Sequence, residues 1–407
     1  MKELRFLHTA DWHADSDPIK QEKLEASLKQ IVDYCREIKV NAIIHAGDVW
    51  ERSQRFQINS GVPVVIKYLR ELSKLVDFIF ITKGNNSHDE PGSISLLHQI
   101  EPNIYAYEYP ISVGIWQNNI FCDPDPPEYS AIDLLRTKAN VPKQFNYIVT
   151  LVPYPTKASL LIDDSIDNNN VSFIEKFEQI FEHIGEVTQS YTCPKILAFH
   201  GNVVGSRLST GQTLISQDIM VASSTLERAL HDYYALGHIH LRQFIKPNMG
   251  YSGSIYNKNW GETEQKSFEV IEFDGKNTPP NSCQIPLTSA RPMITIEAEF
   301  TNGEFVWDKS LLNNNNGEFR FRCKVKENER NLITYDKIDL LKSLFGQDVK
   351  IEFNIIPVER ESRSEKIMNC KTLLDEVEEY SMVTEGQNLS ESIKQKILSI
   401  MNERVIV

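Results

Sequence analysis

Seven side chains able to bind a metal ion recur in five short motifs, each at the end of an apolar run. Asp11-Trp12-His13 places a carboxylate and an imidazole two residues apart, on the same side of an extended chain. Alone, that pair is weak evidence. Gly47-Asp48 follows a second apolar run, its glycine permitting a tight turn. Gly84-Asn85 follows a third and leads into Asn86-Ser87-His88-Asp89. His200-Gly201 and Gly237-His238-Ile239-His240 close the set. Asp11, His13, Asp48, Asn85, His200, His238 and His240 are too many for one catalytic ion with open positions. They suit two ions if one carboxylate bridges them, and such pairs, ~3.5–4 Å apart, stabilise the attacking and leaving oxygens of an in-line displacement. Two divalent ions outweigh two carboxylates, which leaves room for an anionic phosphate. Imidazole and oxygen donors without thiolate favour manganese, iron or zinc over calcium, with manganese the first choice.

The elements that must position these groups alternate strand and helix. Leu4–His8, Asn41–His45, Asp77–Thr82, Tyr147–Val152, Lys195–His200 and Tyr233–Leu236 read as strands. Leu24, Leu28, Ile31, Val32 and Cys35 recur at helical spacing, and Gly61–Leu75 and Ser172–Val187 read as further helices. The expected class is α/β, a sheet layered between helices, and ligand sites in such sheets collect at strand carboxyl ends. All five motifs fall there. The Gly/Pro/Asn-rich run Asp274–Ser282 reads as a linker that ends a domain of residues 1–275. Alternation in Ile294–Phe300, Phe319–Val325 and Val349–Ile355, with a helix at Ile338–Leu344, predicts a small β-β-α-β domain over 285–358. Its second strand turns Arg320, Arg322 and Lys324 away from its apolar face, better read as a solvated surface than as a DNA contact. Asn313–Asn316 reads as a hairpin tip. Residues 365–407 read as two short helices with apolar stripes, which either pack back on the protein or dock on a partner.

Composition narrows the class. At 407 residues the chain suits two or three domains, and no apolar run approaches the ~20 residues of a membrane span. The first residues, Met1-Lys2-Glu3-Leu4-Arg5, have no signal-like apolar stretch, and six scattered cysteines without a CxxC pair read as reduced thiols. A cytoplasmic protein, in a bacterial cell or a phage-infected host, is expected. The net charge of -13 argues against a protein that grips DNA by charge alone. Residues 101–190 hold 13 acidic against 5 basic side chains, yet no metal motif lies in that block, so the local charge at the site is set elsewhere.

His8-Thr9-Ala10-Asp11-Trp12-His13, Ala46-Gly47-Asp48-Val49, Phe199-His200-Gly201 and Leu236-Gly237-His238-Ile239-His240 resemble the calcineurin-type metallophosphoesterases. More narrowly, they resemble SbcD, the nuclease component of the SbcC–SbcD DNA-repair complex, and its phage recombination-endonuclease relatives. Tyr251–Ile255 and Lys266–Ile271 resemble the region after the last histidine motif of those nucleases. The resemblance covers roughly residues 1–275. It implies a β-sandwich flanked by helices, then a small α+β capping domain and C-terminal helices. It implies one ion on Asp11, His13 and His240, a second on Asn85, His200 and His238, and Asp48 bridging. It further implies a manganese-dependent exonuclease and endonuclease acting on DNA. The partner it implies is a coiled-coil ABC ATPase of the SbcC kind, with this chain forming a homodimer inside a heterotetramer and 365–407 the docking segment.

The third motif departs from the family's Gly-Asn-His-Asp by two residues. Its histidine, here His88, is the family's general acid, protonating the leaving oxygen with a pKa of ~6.5 when unperturbed. Either Asn85 or Asn86 is the ligand, Asn85 preferred because it keeps its glycine. Two rival functions remain: a calcineurin-like phosphatase or nucleotide phosphodiesterase on a small substrate, and a weakly active or non-catalytic DNA-end scaffold. His8 and His45 read as packed beside the site, and Trp12 as packing. Arg207 reads as solvated; His98, His183 and His231 read as structural or exposed.

Overall fold

The computed structural model describes residues 3–51, 61–121, 142–156, 169–208, 219–275, 279–310, 317–357 and 365–403. Cys122, the Asn313–Asn316 run and part of the Arg207 loop lie outside them. Two sheets face one another. The first has the order β15-β14-β1-β2-β3-β4, from β1 (Leu4–Thr9), β2 (Ala42–His45), β3 (Phe78–Thr82), β4 (Ile104–Tyr107), β14 (Ser267–Phe273) and β15 (Asn281–Pro286). β1 to β4 are parallel, while β14 and β15 are antiparallel additions. The second has the order β12-β13-β11-β8-β7-β5-β6, from β5 (Ile111–Trp116), β6 (Asn119–Phe121), β7 (Tyr147–Val152), β8 (Lys195–His200), β11 (Tyr233–Gly237), β12 (Gln243–Lys246) and β13 (Met249–Tyr251). The short strands β9 (Asn202–Val203) and β10 (Met220–Val221) pair with each other.

Alternation along each strand builds three apolar layers. Phe6, Ile44, Phe78 and Phe80 of the first sheet meet Tyr147, Val149, Leu151, Ile196 and Ala235 of the second. The opposite faces, Leu7, Ile43, Ile79 and Ile81, pack on α1 (Pro18–Glu37) and α2 (Val62–Ser73). Ile148, Leu197, Phe199 and Leu236 pack on α3 (Asn169–Thr188). Strands buried on both faces carry near-continuous apolar runs, which is why β7 and β8 are readable to the residue. α1 begins at Asp17, whose carboxylate accepts from Ile19 N and Lys20 N, with Pro18 at the first turn. The result is a four-layer α/β sandwich.

Asp274–Ser282 is not a linker between domains. Its far end, β15, pairs antiparallel with β14 along six residues, so the run joins two strands of one sheet. Residues 276–278 of it are outside the described set. Further on come β16 (Met293–Thr301), β17 (Glu304–Trp307), β18 (Glu318–Lys326) and β19 (Lys350–Ile356), in the sheet order β17-β16-β18-β19. A short helix, α4 (Ser223–Glu227), precedes β11, and α5 (Tyr335–Phe345), α6 (Glu365–Met368), α7 (Leu373–Glu385) and α8 (Glu391–Glu403) complete the chain's helices among the described residues. The chain divides into one unit of residues 1–296, 308–321 and 341–351 and another of 297–307, 322–340 and 352–407. Among the described residues, no helix is long and apolar enough to cross a membrane.

His231 shows how the sandwich fixes a histidine that no motif claims. It is buried, Nδ1–H donates to the Ala229 carbonyl at 2.7 Å, and Nε2 therefore accepts from Thr150 Oγ1 at 2.8 Å. Burial pushes its pKa down to about 3, and the Ala229 bond only partly opposes this. A pKa lowered on folding gives stability that is complete above the unfolded value near 6.5 and is lost as pH falls towards 3. The loss is at most about 1.4 kcal/mol per pH unit for this group. Urea midpoints measured from pH 7 to pH 4 should fall steeply in the wild type and less steeply in His231→Gln.

Candidate metal centre

Each motif sits at or just beyond the end of a strand. Past the last β1–β2 rungs the two chains stay in register: Asp11 N donates to Gly47 O at 3.0 Å, His13 N to Asp48 O at 3.1 Å and Ala14 N to Val49 O at 2.8 Å. The backbone there is bent sharply. Asp11 (φ 53°), His13 (φ 45°), Asp48 (φ 58°) and His238 (φ 99°) all occupy the left-handed region, which non-glycine residues rarely adopt. Strain of this kind collects where a site holds its groups against local preference. Gly47 and Gly84 permit close approaches between the motifs. A Cβ on Gly47 would fall on the His200 ring, and one on Gly84 on the Asp48 carboxylate.

The side chains converge as two triplets, Asp11–His13–His240 and Asp48–His200–His238, the ligand atoms of each lying within 4.8 Å of one another. His13 Nε2 is 3.0 Å from His240 Nε2. Asp48 stands between the triplets: Oδ1 is 3.3 Å from His200 Nε2, and Oδ2 is 3.8 Å from His13 Nε2. His238 N donates to both oxygens of Asp11, at 3.0 and 3.2 Å, tying the last motif to the first. A third triplet, His13–Glu51–His88, adjoins these.

The third motif folds as a closed turn. Asn85 N donates to Asp48 Oδ1 at 3.0 Å and its Nδ2 to Asp48 Oδ2 at 3.3 Å, whereas Asn86 Oδ1 accepts from Lys83 Nζ. Asn85 is thus the asparagine at Asp48. Its Oδ1 accepts from Ser87 N at 3.0 Å. The two additional residues stand outward, and His88 returns to the site, its ring 4.6 Å from that of His13 and its Nε2 4.0 Å from Asp48 Oδ2. His88 Nδ1–H donates to the Glu51 carbonyl.

Asp11, Asp48 and Asp89 are almost wholly buried. Burial raises the Asp11 pKa, with His200 and His240 pulling the other way. Burial also opposes ionisation of Asp48, but His200, His88 and His238 outweigh it and hold Asp48 below the usual range. Burial disfavours a charged His200, yet Asp48 overrides this and lifts it to about 9. The pair therefore keeps a proton where a divalent ion would replace it. Buried carboxylates facing imidazole nitrogens form a donor set that fits hard to borderline divalent ions.

Several residues of the site carry no mark in the sequence. Asp89 stands out there only as the neighbour of His88. It accepts from Asp48 N (3.0 Å), Trp50 N (3.1 Å) and Gly84 N (2.7 Å), clamping the second motif to the third. Glu51, Lys258, Glu262 and Lys266 stand behind His13 and His240. Among the residues expected to pack beside the site, His8 donates Nε2–H to Leu236 O at 3.1 Å and accepts from Tyr233 at 3.2 Å, and His45 packs edge-on to Trp12. Burial lowers the pKa of both histidines to about 3. Arg320 lies over Trp260 and donates to Thr295 at 2.9 Å, and Arg322 lies 3.4 Å from both Glu297 and Glu352, so these two β18 cations are already engaged.

Residues 4–242 match the calcineurin-like phosphoesterase family model. The chain belongs to the calcineurin-like phosphoesterase family. It is a metal-dependent hydrolase of phosphate esters. It is 26% identical over 315 residues to the SbcD component of the nuclease SbcCD from Bacillus subtilis (strain 168), covering 72% of each chain. To "Uncharacterized metallophosphoesterase YhaO" of the same organism it is 24% identical over 287 residues, 67% of this chain and 58% of that one.

Asp89→Ala leaves three buried N–H groups without their acceptor, each worth about 1–3 kcal/mol. The substitution should cost at least about 3 kcal/mol in urea denaturation; a loss below about 1 kcal/mol would mean that the clamp does not hold the two loops.

Proposed function

We propose that this phosphoesterase is a manganese-dependent DNA nuclease, both exonuclease and endonuclease, acting in DNA repair or recombination with an SbcC-like coiled-coil ABC ATPase. The observation that carries phosphodiester hydrolysis is Asp48, whose two oxygens face separate histidine clusters. In this reading Asp11, His13 and His240 hold one ion, Asn85, His200 and His238 the other, and Asp48 both. The ions would supply an activated water and charge to offset the phosphate. The choice of DNA is supported by the likeness to a component of a nuclease. The ATPase partner is supported by exposed Leu373, Tyr380, Met382, Val383, Ile393, Leu398 and Ile400 on α7 and α8. Of residues 285–358, the part beyond β15 then acts as a capping domain, 365–407 as the docking segment, and the chain as a homodimer within a heterotetramer.

His88 is the general acid in this reading. Because the Glu51 carbonyl can only accept, Nδ1 keeps its proton and Nε2 is the atom that passes one to the leaving oxygen. The surrounding side chains orient rather than react: Asp89 fixes the turn, and Asn85 sits on Asp48. The rival reading, a phosphodiesterase for a small ester, draws on a cavity of about 290 Å³ beside His88, lined by Trp50, Pro91 and Leu96 among others.

Purified protein with manganese should degrade linear DNA, and His88→Ala should lower kcat by about 10²–10⁴-fold while retaining bound manganese. Turnover of a chromogenic phosphodiester alone, with the ATPase partner present, would overturn the nuclease reading. Equal rates in wild type and His88→Ala would remove His88 from the mechanism.

A further inference from the structure

The five strands that carry metal-binding motifs at their carboxyl ends also border a cavity at their amino ends. Leu4 of β1, Lys195 of β8, and Asn41, Asp77 and Asp232, which immediately precede β2, β3 and β11, all line it, as does Tyr147 at the start of β7. Its volume is about 740 Å³, within the range of ordinary small-molecule sites, and every residue around it belongs to the first unit. The metal centre lies at the opposite end of the same strands, so the two sites are separate.

The fold leaves several polar groups of this cavity unused. Lys195 is 9% exposed; its backbone N–H donates to Asp232 Oδ2 at 2.8 Å, but its ammonium has no hydrogen-bond or ion-pair partner among the described residues. A buried ammonium in that state is costly unless an acceptor reaches it. Asp77 accepts from Asn41 Nδ2 on Oδ2 at 3.2 Å, which leaves Oδ1 open among the described residues. The buried Tyr147 hydroxyl is also without a partner there. Burial and the charge of Asp77 raise its pKa, so it stays a neutral donor. Phe145 and Tyr191, ring centroids 4.9 Å apart, and Phe273 supply aromatic wall. Lys39 and Lys195 balance Asp77 and Asp232, so the lining has no net formal charge. A phosphate would meet the carboxylates and an amine the ammoniums. A flat, neutral ligand with donors on one edge and acceptors on another suits both.

We propose that this cavity is a second ligand site and takes a guanine nucleoside. Guanine is the common base that offers two adjacent N–H groups, N1 and N2, on one edge and two adjacent acceptors, O6 and N7, on another. Asp77 accepts from the first edge and Lys195 donates to the second. The aromatic wall packs against the base. The site does not rest on the nuclease reading.

The test titrates the full chain with deoxyguanosine, deoxyinosine and deoxyadenosine by calorimetry, with and without Mn²⁺. Deoxyguanosine should bind with a Kd below about 1 mM, unchanged by Mn²⁺. Deoxyinosine, which lacks the N2 amine, and deoxyadenosine should each bind at least about 10-fold more weakly. Asp77→Asn and Lys195→Met keep the shape of the side chains they replace, and each should weaken deoxyguanosine at least about 10-fold with the wild-type melting temperature. A variant that melts early is replaced by Asp77→Glu or Lys195→Gln and judged by the same loss. No binding of deoxyguanosine overturns the site. Equal affinity for the three nucleosides overturns the guanine assignment, and full affinity in both variants overturns the assignment to this cavity. Binding that appears only with Mn²⁺ places the nucleoside at the metal centre and overturns it too.

Discussion

A carboxylate without access to water is costly unless positive charge or hydrogen-bond donors face it from close range. Asp48 is such a group, 2% exposed, and most of the site can be traced to how the fold satisfies it. Asn85 donates to it twice, His200 pairs with one oxygen, and His13 and His88 approach the other. Its own backbone N–H is taken by Asp89. All five strand-end motifs therefore meet at a single side chain, the fifth through His238. The fifth is also joined to the first through Asp11, which receives His238 N.

The sandwich exists, for this purpose, to hold strand ends in register. β1, β2 and β3 run parallel in one sheet and β8 and β11 in the other, with both faces of each sheet covered by apolar layers. Parallel strands bring every carboxyl end to one edge. The left-handed backbone at Asp11, His13, Asp48 and His238 then turns those ends inward. Such conformations cost of order 1–3 kcal/mol each, and they persist because the inter-loop hydrogen bonds leave the chain little alternative. Behind this layer the Lys258–Glu51 and Lys266–Glu262 pairs stand against His13 and His240 from the far side.

Much of this is legible in the residues themselves. Tyr147–Val152 and Lys195–His200 announce themselves because strands buried on both faces need continuous apolar runs. β15 does not, since most of Asn281–Pro286 is exposed and a Gly/Pro/Asn run looks the same in a hairpin turn as in a linker. The seven candidate ligands are visible because strand ends with Asp, His and Asn are few and their chemistry is specific; the structure brings them together. Which asparagine stands at Asp48 is open in sequence and is decided by local packing, with Lys83 drawing Asn86 away. Glu262, Lys258 and Lys266 are invisible because they act from behind the ligands, across a long stretch of chain, with no motif of their own. Glutamate and lysine elsewhere on this acidic chain are mostly solvated, so type alone does not single them out.

The central claim is that Asp48 is shared by two ions. Anomalous diffraction from crystals of the full chain soaked in manganese addresses it directly. The account predicts two peaks about 3.5–4 Å apart, one against Asp11, His13 and His240, the other against Asn85, His200 and His238, with Asp48 touching both. A single peak, or two peaks of which only one contacts Asp48, would contradict it.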